Sequence, residues 1–302
     1  MQILNYDDYH MSLEYMLGLD QQKFNRIPVN FVNGISIGWQ MLYSYNDGMF
    51  QNTKRDAHTQ DFYELIVHLH SSRTFMIEDS LFRPGYGDCI LISPDERHMG
   101  IDPERRRYER YYLLINPALL AYLPDGAVIE KLFARRGYPN VITFEPKERD
   151  ALLARLAQYR NYHDLDAFGM MGLRAVILDL LHALSLRREA HTAIVSDTPP
   201  LLSEILHHIH TDFAIIESAA AIAARFDISP SYLSRIFRQH LHTSPYQYLM
   251  SIRLDEALHM LESGTSVTDA CFASGFSDCS HFIAYFHREM GITPSEVRKK
   301  HR

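Results

Sequence analysis

SYLSRIFRQHLHTSP, residues 231–245, returns in altered form as SHFIAYFHREMGITP, residues 280–294. Leu233 matches Phe282, Phe237 matches Phe286, Leu241 matches Met290 and Pro245 matches Pro294, each 49 positions on. Both copies carry apolar residues at i, i+4 and i+8, the spacing of one buried helix face. Each follows a short helical stretch and a tight turn. AAAIAARF (219–226) leads through Asp227-Ile228-Ser229, and VTDACFAS (267–274) leads through Gly275-Phe276-Ser277. A short helix crossing the next one closely needs a small residue at the crossing, here Ala223 and Cys271. The turn four positions later favours a residue that tolerates the left-handed region, here Asp227 and Gly275. Ser229 and Ser277 are suited to cap the helices that follow. The pattern is two helix-turn-helix units.

Between them lies SPYQYLMSIRLDEALHMLESG, 244–264. As one helix of about 20 residues it would be roughly 30 Å long. One turn of B-DNA is about 34 Å, so such a rod could place two helices in successive major grooves.

Cys271, Cys279, His281 and His287 crowd the second copy and invite a metal reading. The spacing argues against it. Cys279 and His281 are two apart on a helix, so their side chains diverge by roughly 200°. The pattern C-x7-C-x-H-x5-H also lacks the close cysteine pair of a zinc finger. Cys271 is expected to be buried at the crossing. His207, His208 and His210 flank a buried row of Leu202, Leu206 and Ile209 and are likewise read as helix-surface residues rather than ligands.

The chain has 302 residues, 46% hydrophobic and 22% charged, which fits roughly two domains of an ordinary globular protein. No apolar run approaches the roughly 18 residues of a membrane span, and MQILNYDDYH lacks the order of a signal peptide. Three scattered cysteines make no disulfide framework, so a reducing cytoplasm is the expected location. The net charge of −7 does not itself suggest nucleic acid. Residues 199–302 hold nine Lys/Arg against eleven Asp/Glu, but the stretch 229–241 has Arg235 and Arg238 and no acid, and the chain ends in RKKHR. Local patches and helix N-termini would have to attract phosphate, so modest non-specific affinity is expected.

Residues 23–120 read as short strands. ISIGWQMLYSY, FYELIVHLH, RTFMIED and DCILIS are broken by Asn33-Gly34, Asp47-Gly48, Pro84-Gly85 and Ser93-Pro94, the pattern of a barrel or sandwich. From about Glu145 the spacing turns helical, with Leu173, Ile177, Leu180 and Leu184 as one row. A hairpin packed on the barrel is expected over 146–188. Its second helix is apolar on more than one face, which points to a homodimer contact. EAHTAIVSDTPP, 189–200, reads as a linker.

Residues 199–302 resemble the C-terminal domain of the AraC/XylS family of bacterial transcription regulators, through ISPSYLSRIFR, IRLDEALHML, SVTDACFASGFSDCSHF and GITPSEVRK. The N-terminal part resembles that family's cupin domain through HTQDFYEL (58–65) and RPGYGDCILISPDERH (83–98). The resemblance implies an α+β multidomain chain. It has a cupin-like effector-binding barrel over 1–145, a hairpin over 146–188, a linker over 189–200, and an all-α domain of about seven helices with two helix-turn-helix motifs over 201–302. It implies a non-enzymatic regulator that binds double-stranded promoter DNA, takes a small effector, often a sugar, and could meet RNA polymerase.

On this reading Ser231, Tyr232, Ser234, Arg235, Arg238 and Gln239 face DNA from the first unit. Cys279, Ser280, Ile283, Ala284 and His287 do so from the second. Ala284 stands where the first copy has Arg235, and His287 where it has Arg238, so the first helix is expected to supply most specificity. Arg253 is expected to pair with a nearby carboxylate and brace the two units. In the barrel, Trp39, Tyr43, His58, Glu64 and His98 are the expected effector residues. Trp39, Met41 and Tyr43 share one face by period two. Metal-binding cupins use His-x-His, a Glu and a later His. Here Gln60 replaces the second His, leaving His58, Glu64 and His98, so neither metal nor cofactor is expected. The rival readings are an effector-independent regulator whose barrel only dimerises, and a metal-cupin enzyme fused to a DNA-binding domain.

Overall fold

A computed structural model describes residues 57–60, 62–70, 74–101, 108–115, 117–120, 125–134, 140–159, 167–190 and 197–300, and strands at 31–32, 35–36 and 39–46. The first part is sheet. β1 (Phe31–Val32) and β2 (Ile35–Ser36) form a short ribbon. The strands β3 (Trp39–Asn46), β4 (Tyr63–His70), β5 (Thr74–Ile77), β6 (Ser80–Phe82), β7 (Cys89–Ile92), β8 (His98–Ile101), β9 (Tyr108–Ile115) and β10 (Val141–Ile142) follow in chain order. They make a five-stranded antiparallel sheet ordered β10-β7-β4-β9-β3 and a three-stranded one ordered β6-β5-β8. Asn33-Gly34 and Asp47-Gly48 lie outside the described residues.

Period-two alternation gives the larger sheet two different faces. Leu65, Val67 and Leu69 of β4 join Cys89 and Leu91 of β7 and Tyr111, Leu113 and Ile115 of β9 in one apolar cluster. Glu64 and His68, of the other parity, meet the smaller sheet: Glu64 lies 3.5 Å from His98, and the His68 ring stands edge-on to Phe75.

The helices on the apolar face are α1 (Pro117–Leu120), α2 (Gly126–Phe133), α3 (Pro146–Ala157) and α4 (Ala167–Ala190). The expected row Leu173, Ile177, Leu180 and Leu184 is buried in that cluster together with Leu152, Leu153 and Leu156. Each such side chain contributes about 1.5–3 kcal/mol on burial. Ion pairs Arg155–Asp179 and Arg187–Glu148 cross between α3 and α4 and fix them as an antiparallel hairpin.

Seven helices follow: α5 (Pro200–Asp212), α6 (Ala219–Arg225), α7 (Pro230–Leu241), α8 (Pro245–Glu262), α9 (Val267–Ala273), α10 (Cys279–Met290) and α11 (Pro294–Lys300). Prolines open α5, α7 and α8, where a missing N–H costs nothing. The 18 residues of α8 make it about 27 Å long. It serves two cores. Tyr248, Leu249 and Ile252 pack with Ile222, Ala223, Leu233 and Phe237 of the first unit. Met250, Leu254, Ala257, Leu258 and Leu261 pack with Cys271, Phe282 and Phe286 of the second.

Candidate DNA interface and effector pocket

The two turns are built alike. Asp227 and Gly275 both have positive φ, 52° and 88°. Ile228 N donates to Ala223 O and Phe276 N to Cys271 O, both at 3.0 Å, closing each first helix around its small crossing residue. Cys271 is fully buried, and burial with the neighbouring Cys279 pushes its thiol up to about 12. It is a packing residue.

The caps differ from expectation at one point. Ser229 accepts from Tyr232 N at 3.1 Å. The matching cap in the second unit is Asp278, not Ser277. Its carboxylate accepts from Ser280 N at 2.7 Å and His281 N at 3.1 Å. The first helices and turns repeat at 48 residues but the second helices at 49, so the counterpart of Ser229 is one position further on than the turn suggests.

These caps aim two exposed faces. On α7, Ser231, Tyr232, Arg235, Arg238 and Gln239 are exposed, Ser234 is half-buried, and Leu233, Ile236 and Phe237 are turned into the core. Pro230, Ser231, Ser234, Arg235, Arg238 and Gln239 line an open concavity of about 650 Å³. On α10, Ser280, Ile283, Ala284 and His287 are exposed, while Cys279 is half-buried against the core around Cys271. Arg288 is a further exposed basic residue of this helix, beyond those expected from the sequence. It stands 49 positions from Gln239, lies 4.7 Å from the Tyr285 ring centroid and pairs with Glu289 at 2.7 Å. The repeat offset alone would have pointed to it.

Arg253 does brace the domain, but through carbonyls rather than a carboxylate. Its guanidinium donates to Phe213 O at 3.0 Å and Ile216 O at 2.6 Å, acceptors just past the end of α5. Gly275 closes on the same place: a Cβ there would lie 2.7 Å from Ala214 O and 2.9 Å from Arg253 Nε. The histidines of α5 make side-chain contacts, His208 to Asp212 and His210 to Tyr248 Oη.

In the sheet domain, His58, Glu64 and His98 come together. His58 and His98 exchange backbone hydrogen bonds of 3.1 and 2.9 Å, with ring centroids 4.4 Å apart. His98 Nδ1 donates to Glu96 O at 2.8 Å, which leaves Nε2 facing Glu64 at 3.5 Å. Burial alone lowers the His98 pKa, but the hydrogen bond and charge of Glu64, with Glu96, outweigh it and raise it. Arg110 approaches the other Glu64 oxygen at 3.8 Å. Gln60 donates to Phe62 O. Trp39 and Tyr43 stand opposite Ile115 and Tyr111 in the β3–β9 register, whereas Glu64 stands opposite Leu114. Among the described residues, no three His, Cys, Asp or Glu side chains are placed to hold a metal ion.

Residues 222–300 match the family model of a helix-turn-helix domain, and residues 44–158 match that of an AraC-like ligand binding domain. The chain belongs to the AraC family of transcription regulators. It is 28% identical over 253 residues to the HTH-type transcriptional activator RhaS of Escherichia fergusonii, covering 80% of this chain and 87% of that one. It is 26% identical over 253 residues to the protein of the same name from Shigella boydii, with the same coverage. Among solved structures it resembles an AraC-type DNA-binding domain regulator from Chromobacterium violaceum. That match has 30% identity and a TM-score of 0.32, and covers 34% of this chain and 92% of that one. The two RhaS relatives are transcriptional activators, not enzymes, and the chain is a DNA-binding transcription regulator with a ligand-binding domain. Among the described residues, no helix is long and apolar enough to cross a membrane.

Proposed function

We propose that the chain is a dimeric cytoplasmic regulator that reads paired promoter sites with α7 and α10 and responds to a small, hydroxyl-rich effector, a carbohydrate, in its sheet domain. The observation that carries the DNA reading is the exposed face of α7. Arg235 and Arg238 project from a helix that is capped, pinned by Phe237 and held on the α8 rod. Arginines on such a face suit base edges and phosphates. The second helix offers Ser280, Ile283, Ala284 and His287, with Arg288 held by Glu289, so the first helix supplies most of the specificity.

For the effector, the supporting feature is Glu64 set between His98 and Arg110 beside His58. A carboxylate and two kinds of N–H donor on one wall match the alternating donors and acceptors of a polyol. For the dimer, α4 exposes Phe168, Met171, Ala175, Leu178, His182 and Leu186 at three- or four-residue spacing. That stripe is a self-complementary seam for a second copy.

Gel shifts of the full chain on the DNA flanking its own gene test the reading. Salt-sensitive, sequence-specific retardation is expected, and its absence at every salt concentration sinks the proposal. Calorimetry against a panel of sugars separates the effector-responsive regulator from one whose barrel only dimerises.

A further inference from the structure

The linking helix α8 is tied to the sheet domain by a buried charge cluster. Asp255 Oδ2 accepts from Arg97 Nη1 at 2.8 Å, from Thr59 N at 3.1 Å and from Thr59 Oγ1 at 3.0 Å. Arg97 Nη2 donates to Glu256 at 2.6 Å, and Thr59 Oγ1 also meets His259 Nε2. Arg97 and Asp255 are 5% and 8% exposed, so this is a buried pair, not a rim contact. Arg97 is itself clamped. Its N donates to Glu78 Oε1 at 2.8 Å, and Glu78 N donates to Arg97 O at 2.7 Å. Glu78 holds the left-handed conformation, φ 52°, and its other oxygen faces His210 of α5 at 3.5 Å.

The two residues that grip Asp255 are chain neighbours of two pocket residues. Thr59 follows His58, and Arg97 precedes His98. Adjacent residues of extended chain point to opposite sides, so one short bridge carries the pocket on one side and α8 on the other. His58 and His98 are hydrogen-bonded to each other through their backbones, so they move as one piece. A ligand that shifts His98 against Glu64 therefore shifts Arg97 and Thr59 against Asp255.

We infer that Arg97 and Thr59, closed on Asp255, form the latch through which occupancy of the pocket acts on the α8 rod and so on the placement of both recognition helices. The inference rests on the effector reading above. A buried ion pair suits this role because it adds little net stability but specifies one arrangement, and removing one partner leaves an uncompensated charge. Beside the latch, Met76, Leu81, Met99 and Ile101 meet the first unit's core through apolar contacts, which are less directional than the buried ion pair.

Hydrogen exchange of the full chain tests the latch without ligand or DNA, so its failure is separate from failure of DNA binding. Asp255→Asn should speed exchange both in α8 and in segments 58–60 and 97–101. Glu64→Gln, or His98→Gln if that variant folds poorly, should change exchange at 252–262 in the otherwise wild-type chain by about five-fold or more. The same pocket substitution should lose that effect in the Asp255→Asn background. The inference is overturned if pocket substitutions leave α8 unchanged, or change it equally with and without Asp255.

Discussion

The guanidinium of Arg235 lies 4.9 Å from the centroid of the Tyr232 ring, one turn earlier on α7. The contact holds a long, exposed side chain in one orientation before DNA arrives and reduces the entropy lost on binding. In the second unit, Ala284 stands at the Arg235 position. Ala284→Arg should therefore tighten binding to duplex DNA and steepen its salt dependence by about one phosphate contact. Titrations at several salt concentrations measure both.

The caps give a stability test. Ser229→Ala should cost about 1 kcal/mol, seen as a lower denaturation midpoint. In the second unit, Asp278→Ala should lower the midpoint while Ser277→Ala leaves it unchanged. Two backbone N–H groups hold the Asp278 carboxyl below its ordinary 3.8. Its contribution is thus present above that pH and lost as pH falls through the lowered value. The difference between wild type and Asp278→Ala should disappear in strong acid.

His98 carries the opposite sign. Its folded pKa is raised above 6.5, so its pairing with Glu64 stabilises the fold fully below about pH 6.5 and progressively less as pH rises through the folded value. Wild type and His98→Gln should differ more at pH 5.5 than at pH 8.5 in thermal unfolding.

Leu178 is half exposed at the middle of the α4 stripe. Leu178→Glu should weaken self-association by about 10- to 100-fold, the worth of one buried leucine, without unfolding the chain. Sedimentation across a concentration series measures this.

Local features were legible in the sequence. The turns at Asp227 and Gly275, the burial of Cys271 and the row from Leu173 to Leu184 each depend on spacing within a few helical turns. Features set by distant pairing were not. Arg97 and Asp255 are 158 positions apart, and nothing in either neighbourhood names the other. Arg253 found carbonyls because the chain end of α5 folds back on it, which spacing cannot show. The face on which Trp39 and Tyr43 lie depends on how β3 is registered against β9. Asp278 and Arg288 both follow from the 49-residue offset of the second helices: Asp278 is hidden when the 48-residue offset of the turns is carried one residue too far, and Arg288 because its counterpart Gln239 is uncharged.

The most direct measurement is the affinity of wild type and Arg235→Ala for a specific duplex from the flanking DNA, followed by fluorescence anisotropy at fixed salt. Wild type should bind specifically, and Arg235→Ala should lose about 1–3 kcal/mol, a weakening of roughly 5- to 150-fold. Unchanged affinity in Arg235→Ala, with binding abolished instead by Ser280→Ala, would contradict this.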